Sequence, residues 1–307
     1  MSQAWNLGEN PRAELHSVAA PRQRVALVTG GTDGIGRAVA LDLARAGDRV
    51  LFVGRNRERG AAVLSELNRV GPSARHAFLP ADLSLLSETA RACRQVEELT
   101  TELDALVLCA GVLSTVPEWT AEDLERNFVL NYLTRFLTTR QLLPLLCEAP
   151  SGRIVLVSNA GRYPDTLDFD DLQHRRGKTG LAVSGRTQFA NDLLAVELAE
   201  RLRSSRIEVS CVFPGVTRSS CFANARGLPW LLRLLVPLAV RIFGQSTAKA
   251  ALTPVALARE TGGRGSSGCF FGPRLKPIDV PERARSAERR SALWHASEAL
   301  VRIATGT

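Results

Sequence analysis

Short apolar runs alternate along the chain with amphipathic stretches, a pattern that predicts strands separated by helices. Val25–Thr29 (VALVT) is suited to a buried strand, and Ile35, Val39 and Leu43 then recur at helical spacing before Gly47 supplies a stop. Arg49–Val53 repeats the strand, and the helix behind it puts Val63, Leu67 and Val70 on one face before Gly71-Pro72. Ala77–Leu79 is a short third strand. A helix over about Ser84–Thr101, burying Leu85, Ala92, Val96 and Leu99, leads to a fourth strand at Ala105–Cys109. A long helical stretch, about Ala121–Leu146, precedes a fifth strand at Arg153–Val157. A helix over about Leu181–Arg203 precedes a sixth at Val209–Phe213. Beyond an apolar insertion come a helix near Ser246–Arg259, a seventh strand near Gly268–Phe271 and a C-terminal helical segment. The expected fold is α/β: a doubly wound parallel sheet of about seven strands with helices on both faces.

The 307 residues can bury one full core, so the expectation is a single domain over 24–307 with 216–245 as an insertion. Residues 1–23 lack an apolar segment and hold Pro11 and Pro21, which predicts a loose arm and no signal peptide. The six cysteines follow no metal-ligand spacing and several lie in apolar runs, as in a reducing cytoplasm. A net charge of +8 raises nucleic acid as a partner, but the arginines are spread along the chain without an aromatic-interleaved patch, so none is expected. No run reaches the ~18 apolar residues of a membrane span.

The chemistry begins where the first strand hands over to the first helix, at Gly30, Gly31, Gly34 and Gly36. Without Cβ atoms, backbone N–H groups and the partly positive helix end can approach an anion closely, and a dinucleotide pyrophosphate is the obvious guest. The alternative is a tight packing turn. The other strand ends of such a sheet, at Ala110-Gly111, Ser158-Asn159 and Pro214-Gly215, fall on the same ligand-binding edge.

Thr29-Gly30-Gly31-Thr32-Asp33-Gly34-Ile35-Gly36, then Asp82, Ala110-Gly111, Asn131, the RIVLVS run and Pro214-Gly215, in this order, resemble the Rossmann-like short-chain dehydrogenase/reductase superfamily over about Arg24 to Phe271. Ser184-Gly185-Arg186-Thr187-Gln188-Phe189-Ala190-Asn191, with LLAVELAERL behind it, is most similar to the retinol-dehydrogenase-like branch. The resemblance implies that the turn Gly30, Thr32, Asp33, Gly34, Ile35, Gly36 holds the pyrophosphate and that Asp82 and Leu83 flank the adenine. It also implies that Ala110, Gly111, Pro214 and Gly215 line the cofactor and that Ser219 bonds the nicotinamide carboxamide. A homo-oligomer is implied as well, since helices of the Ser184 type often pair between subunits in this family.

An acid at the end of the second strand would hold the free ribose of NAD. Gly54-Arg55 stands there instead, with Arg37 behind the glycine turn, and two guanidiniums suit the 2′-phosphate of NADP(H). The alternative is a surface role in a chain with 36 arginines and only three lysines.

The acid–base set departs from the family. Its Tyr and Lys fall on Ser184 and Gln188, its Ser falls on Asn159, and only Asn131 is kept. The only tyrosines are Tyr132 and Tyr163, followed four residues on by Phe136 and Leu167, so no Tyr-x-x-x-Lys exists anywhere. Ser184 and Gln188 can orient a substrate but cannot deliver a proton near neutrality. Tyr163 is a candidate replacement donor, with pocket lining as the alternative; Arg162, Asp165 and His174 are weaker candidates on the same loop.

Three functions follow. The chain is an NADPH-dependent reductase of an iminium or conjugated substrate, a redox-neutral cyclase or isomerase using the pocket for positioning, or a non-catalytic NADP(H)-binding protein. Cys221–Phe243, with Trp230-Leu231-Leu232-Arg233-Leu234-Leu235-Val236, is expected to cover an apolar small-molecule substrate. Core packing and shallow insertion into a membrane surface are the alternatives for that segment.

Overall fold

The computed structural model describes residues 22–72, 74–177, 179–218, 227, 240–241, 244–259, 265 and 267–306. Nearly all of the 1–23 arm, Ser219 and most of Cys221–Phe243 lie outside the described residues.

Eight strands form one sheet: β1 (Val25–Thr29), β2 (Arg49–Gly54), β3 (Ala77–Pro80), β4 (Ala105–Leu108), β5 (Arg153–Val157), β6 (Glu208–Val212), β7 (Cys269–Phe271) and β8 (Pro277–Ile278). Their order is β3-β2-β1-β4-β5-β6-β7-β8, all parallel except the last pair, where Phe270 faces Ile278 in antiparallel register. β1, β4 and β5 are buried at every position, which is why their sequences are apolar runs and not alternations. The sheet therefore has one strand more than expected: β8 is two residues long and begins with a proline, too short to leave a periodic signature.

Helices cover both faces. α1 (Gly34–Arg45), α2 (Arg57–Val70) and α6 (Thr247–Ala258) bury Val39, Leu43, Val63, Leu67 and Leu257 against Val28, Phe52 and Val107. On the other face lie α3 (Leu86–Leu99), α4 (Thr134–Glu148), α5 (Ala182–Arg201) and α8 (Ala287–Thr305), with the single turn α7 (Glu282–Arg285) beside α5. α3 buries Ala92 and Val96 as expected, but its two ends differ: Leu86 takes the buried place expected of Leu85. Leu86, Ala90, Cys93 and Val96 are buried, whereas Leu99 is 38% exposed.

The expected helix Ala121–Leu146 is not continuous. It starts with one turn at Arg126–Phe128, widens to a π turn at Val129–Leu133 and only then becomes α4. Its start is fixed by buried Glu125, whose carboxylate accepts the N–H groups of Asn127 and Phe128, both at 2.9 Å, and pairs with Arg186 of α5 at 2.5 Å. α5 is enclosed by its own chain: fourteen of its twenty residues are buried. Trp294 of α8 meets Phe136 of α4 edge-on at 4.9 Å and lies under the Arg201 guanidinium at 3.9 Å, while Tyr132 Oη and Ser297 Oγ are 2.8 Å apart. Among the described residues no helix is long and apolar enough to cross a membrane.

Candidate active site

Strand order reverses around β1, so the loops leaving β1 and β4 diverge and open a crevice at the carboxyl edge of the sheet. The glycine turn and Ala110-Gly111 meet there. Gly30 has φ +69°, and a Cβ on it would lie 2.9 Å from Ala110 Cα; a Cβ on Gly36 would lie 2.4 Å from Gly30 O. Only glycines let these backbones close up. Ala110 N–H is also tied to Thr29 Oγ1 at 3.2 Å. Asp33 caps α1 by accepting the Gly34 N–H at 2.7 Å, leaving the N–H groups of Ile35 and Gly36 in the first turn without intrahelical acceptors. A glycine-rich turn ending in free backbone donors at a helix N-terminus fits a dinucleotide pyrophosphate.

At the end of β2, a Cβ on Gly54 would lie 2.5 Å from Thr32 Cγ2, so Thr32 fills the space an acidic residue would need. Arg55 beside it is exposed and has no partner among the described residues. Arg37 differs from expectation: it pairs with Glu66 at 2.5 Å, while Arg59, unremarked in the sequence, pairs with Asp33 at 3.1 Å. Carboxylates thus hold two guanidiniums of this corner, and Arg55 is left uncommitted. Asp82 locks its own loop, accepting Ser84 N–H at 3.0 Å and Ser84 Oγ–H at 2.7 Å, and Leu83 is buried. Pro214 O accepts the Gln245 side-chain amide, and Gly215 takes φ +86° against it.

Three of the four positions expected to carry the chemistry, Asn131, Ser184 and Gln188, hold hydrogen bonds within the chain. Asn131, in the π turn, accepts Val112 N–H at 2.7 Å and donates to Val112 O at 3.0 Å and Thr187 Oγ1 at 3.1 Å. Its carbonyl accepts Asn191 Nδ2 at 3.0 Å. It therefore clamps the loop after β4 to α5. Ser184, expected to orient a substrate, is buried with its hydroxyl used both ways: it donates to Ser114 O at 2.8 Å and accepts Ser114 N–H at 2.9 Å. Gln188 Oε1 accepts Asn159 N–H at 3.2 Å. The Asn159 side chain is half-buried and unpaired among the described residues.

The Tyr163 ring packs against α5 at Gly185. A Cβ on Gly185 would lie 3.0 Å from that ring, and the ring borders a cleft with Phe189, Pro281 and Arg283. Gly185 and Ser184 differ by about 100° around a helix, so the ring packs on the neighbouring face. Asp165 is buried under Arg289, at 2.7 Å, and Arg283. Arg162 lies over Phe213 at 5.0 Å.

Two buried ionisable residues escaped the sequence reading. Arg135 of α4 donates to Ala110 O at 2.8 Å and Asn191 Oδ1 at 3.4 Å, its Nε has no acceptor, and burial brings its guanidinium down to about 10. Asp192 of α5 accepts Gly161 N–H at 3.1 Å, and burial pushes its carboxyl up to about 8. The signal available for both was a lone charge inside an otherwise apolar helical run, NYLTRFLTT and FANDLLA.

The short chain dehydrogenase family profile matches residues 24–167. Dehydrogenase/reductase SDR family member 13 of Bos taurus is 32% identical over 305 residues, covering 98% of this chain and 79% of that protein. Retinol dehydrogenase 14 of Mus musculus is 30% identical over 290 residues, covering 91% and 86%, and polyprenol dehydrogenase of Mus musculus 32% identical over 279 residues, covering 88% and 82%. Among solved structures, an uncharacterised protein of Mycobacterium paratuberculosis superposes with TM-score 0.70 at 24% identity over 91% of this chain and 94% of that one. A short chain dehydrogenase of Shigella flexneri complexed with NADP superposes with TM-score 0.60 at 23% identity, over 81% and 96%.

Proposed function

The chain belongs to the short-chain dehydrogenase/reductase superfamily, in its retinol-dehydrogenase-like branch, and on that premise we propose that it binds NADP(H) and reduces an apolar small molecule without a tyrosine acid. The observation that carries this reading is a contrast within one site. The nucleotide cradle is intact, whereas the positions that would move a proton are Ser184, Gln188 and Asn159. Bound NADPH supplies the hydride. The Gly30–Gly36 turn and the first turn of α1 would hold its pyrophosphate, Asp82 and Leu83 would border the adenine, and Ala110, Gly111, Pro214 and Gly215 would line the nicotinamide side. Arg55 is the uncommitted cation for a 2′-phosphate.

A substrate that already carries its charge, such as an iminium ion, or a conjugated alkene whose product anion is held by hydrogen bonds, needs no phenol. Asn159 and Tyr163 are the polar side chains left to orient it. The rim supports an apolar guest, because Leu181 is 62% and Val216 52% exposed. The 216–245 insertion leaves and re-enters beside Pro214-Gly215. Thr217 bridges Gln245, Arg218 N–H donates to Gln245 O at 2.9 Å, and Gly227 lies against Thr115 and Val116. These described ends support the expectation that the insertion covers the pocket. The free cysteines described fit a reducing, cytoplasmic compartment.

The saturation of Ser184 favours a second reading, a protein that binds the nucleotide and a ligand without turnover. One experiment separates them: incubate the protein with NADPH and panels of imines, enones and ketones, and follow absorbance at the nicotinamide band. Oxidation with imines or enones supports the reductase. Tight NADPH binding with no oxidation on any panel supports the second reading, and no NADPH binding removes both.

A further inference from the structure

The turn after β5 is held to α5 by two side chains one helical turn apart, Gln188 on Asn159 N–H at 3.2 Å and Asp192 on Gly161 N–H at 3.1 Å. Asp192 is 1% exposed. Its other oxygen faces the Cys211 thiol of β6 at 3.9 Å, and that sulfur lies 3.2 Å from Ser158 Oγ. Among the described residues no cation reaches the carboxyl. Arg135 of α4 acts on Cys211 and is bonded to Ala110 O and Asn191 Oδ1. On the side of α7 and α8, Arg283 and Arg289 are held by Asp165 and Arg290 by Glu197. The thiol itself is pushed up by burial and stays protonated. One backbone N–H and one weak S–H are a poor set of donors for a buried carboxylate.

We propose that Asp192 is a positioning residue that works as a neutral carboxylic acid, keeping the Ser158–Arg162 turn docked on α5 together with Asn159 and the adjoining Tyr163, and that loss of its proton undocks this turn. A carboxylate without a cation needs water, and water reaches it only by parting the turn from the helix. The acid form asks only for what is present: an amide donor on one oxygen and the Cys211 sulfur beyond the other. The two polar side chains of the pocket then hold one geometry below the titration and another above it. This device belongs to the chain alone, and it operates whichever nucleotide or substrate the site takes.

The sequence makes the test direct. Tyr163 and Tyr132 are the only tyrosines, and Tyr132 is buried against Ser297, so ring-13C-tyrosine gives two NMR signals, assigned by Tyr163→Phe and with Tyr132 as an internal control. Between pH 6 and 9, below the ordinary phenol titration at about 10, the Tyr163 signal is expected to move with one midpoint near 8 while Tyr132 stays fixed. Asp192→Asn, which can still accept the Gly161 N–H, is expected to keep Tyr163 at its low-pH position throughout. Cys211→Ala removes the S–H donor from the carboxylate and is expected to raise the midpoint by at least about threefold in proton concentration; it serves also if Asp192→Asn does not fold. A Tyr163 signal that is constant in the unsubstituted protein, or that titrates identically in the variants, overturns the proposal.

Discussion

Ser184 and Ser114, seventy residues apart, exchange two hydrogen bonds through one hydroxyl, which donates to Ser114 O at 2.8 Å and accepts Ser114 N–H at 2.9 Å. The position expected to match the family's proton donor is therefore a fastener between α5 and the loop after β4. Ser184→Ala leaves a buried N–H and C=O unpaired and is expected to cost about 1–3 kcal/mol of stability. Urea unfolding reads this directly, and nucleotide affinity is expected to change less than twofold. A large loss of turnover at unchanged stability would instead make Ser184 a participant in the chemistry.

Arg55 sets nucleotide choice in the proposed site. Arg55→Asp is expected to lower NADPH affinity by about 10–100-fold, as loss of a charge-assisted contact of about 1.5–3 kcal/mol implies, and to leave NADH affinity within a few-fold. Calorimetric titration of both nucleotides checks this. Arg37→Ala, which removes the Glu66 pair, is expected to have the smaller effect on the preference.

Ordinary ketones are expected to be poor substrates. General acid catalysis contributes about 10²–10⁴-fold, and neither Ser184 nor Gln188 can supply it. Steady-state rates on a carbonyl panel are the measurement. Robust ketone reduction that disappears in Tyr163→Phe would assign the donor to Tyr163, despite its packing on the Gly185 face of α5.

Asp192 also couples stability to pH. Its folded value, about 8, lies above its ordinary 3.8, so between these limits the folded state holds a proton that the unfolded state has lost. This group's contribution to stability accordingly falls as pH rises from about 4 to 8 and is level above that. Comparing urea midpoints at pH 5 and pH 8, Asp192→Asn is expected to show a shallower decline than the unsubstituted protein. Parallel declines would show that Asp192 is ionised in the folded state.

The outer side of α5 is covered by α7 and α8 of the same chain, with Trp294 set between Phe136 and Arg201. Pairing of α5 across a subunit boundary is therefore expected to be blocked, and sedimentation should show no dimer built on that helix. Trp294→Ala is expected to cost about 3–5 kcal/mol and to expose the surface on which such a dimer would form.

Much of this molecule was legible because its signals are local. The buried strands read as apolar runs, and the glycine turn declared itself at a strand-to-helix junction. The absence of any Tyr-x-x-x-Lys was settled by a chain with two tyrosines. What escaped depends on partners distant in sequence. Arg37 was legible as a cation but its capture by Glu66 was not, and the Ser184 hydroxyl looked available until Ser114 was placed beside it. The exchange of Leu85 for Leu86 at the start of α3 has a simpler cause: they are adjacent leucines, and spacing alone does not choose between them.

The wide turn at Val129–Leu133 has a consequence of angle. An α-helix rotates by about 100° per residue, so one additional residue in a turn re-aims everything upstream of it relative to everything downstream. Glu125 reaches Arg186 on one side of this turn while Arg135 reaches Ala110 on the other. Deleting one residue between 129 and 133 would restore an unbroken spiral and swing one of those anchors out of phase, with every side chain of the site left chemically unchanged.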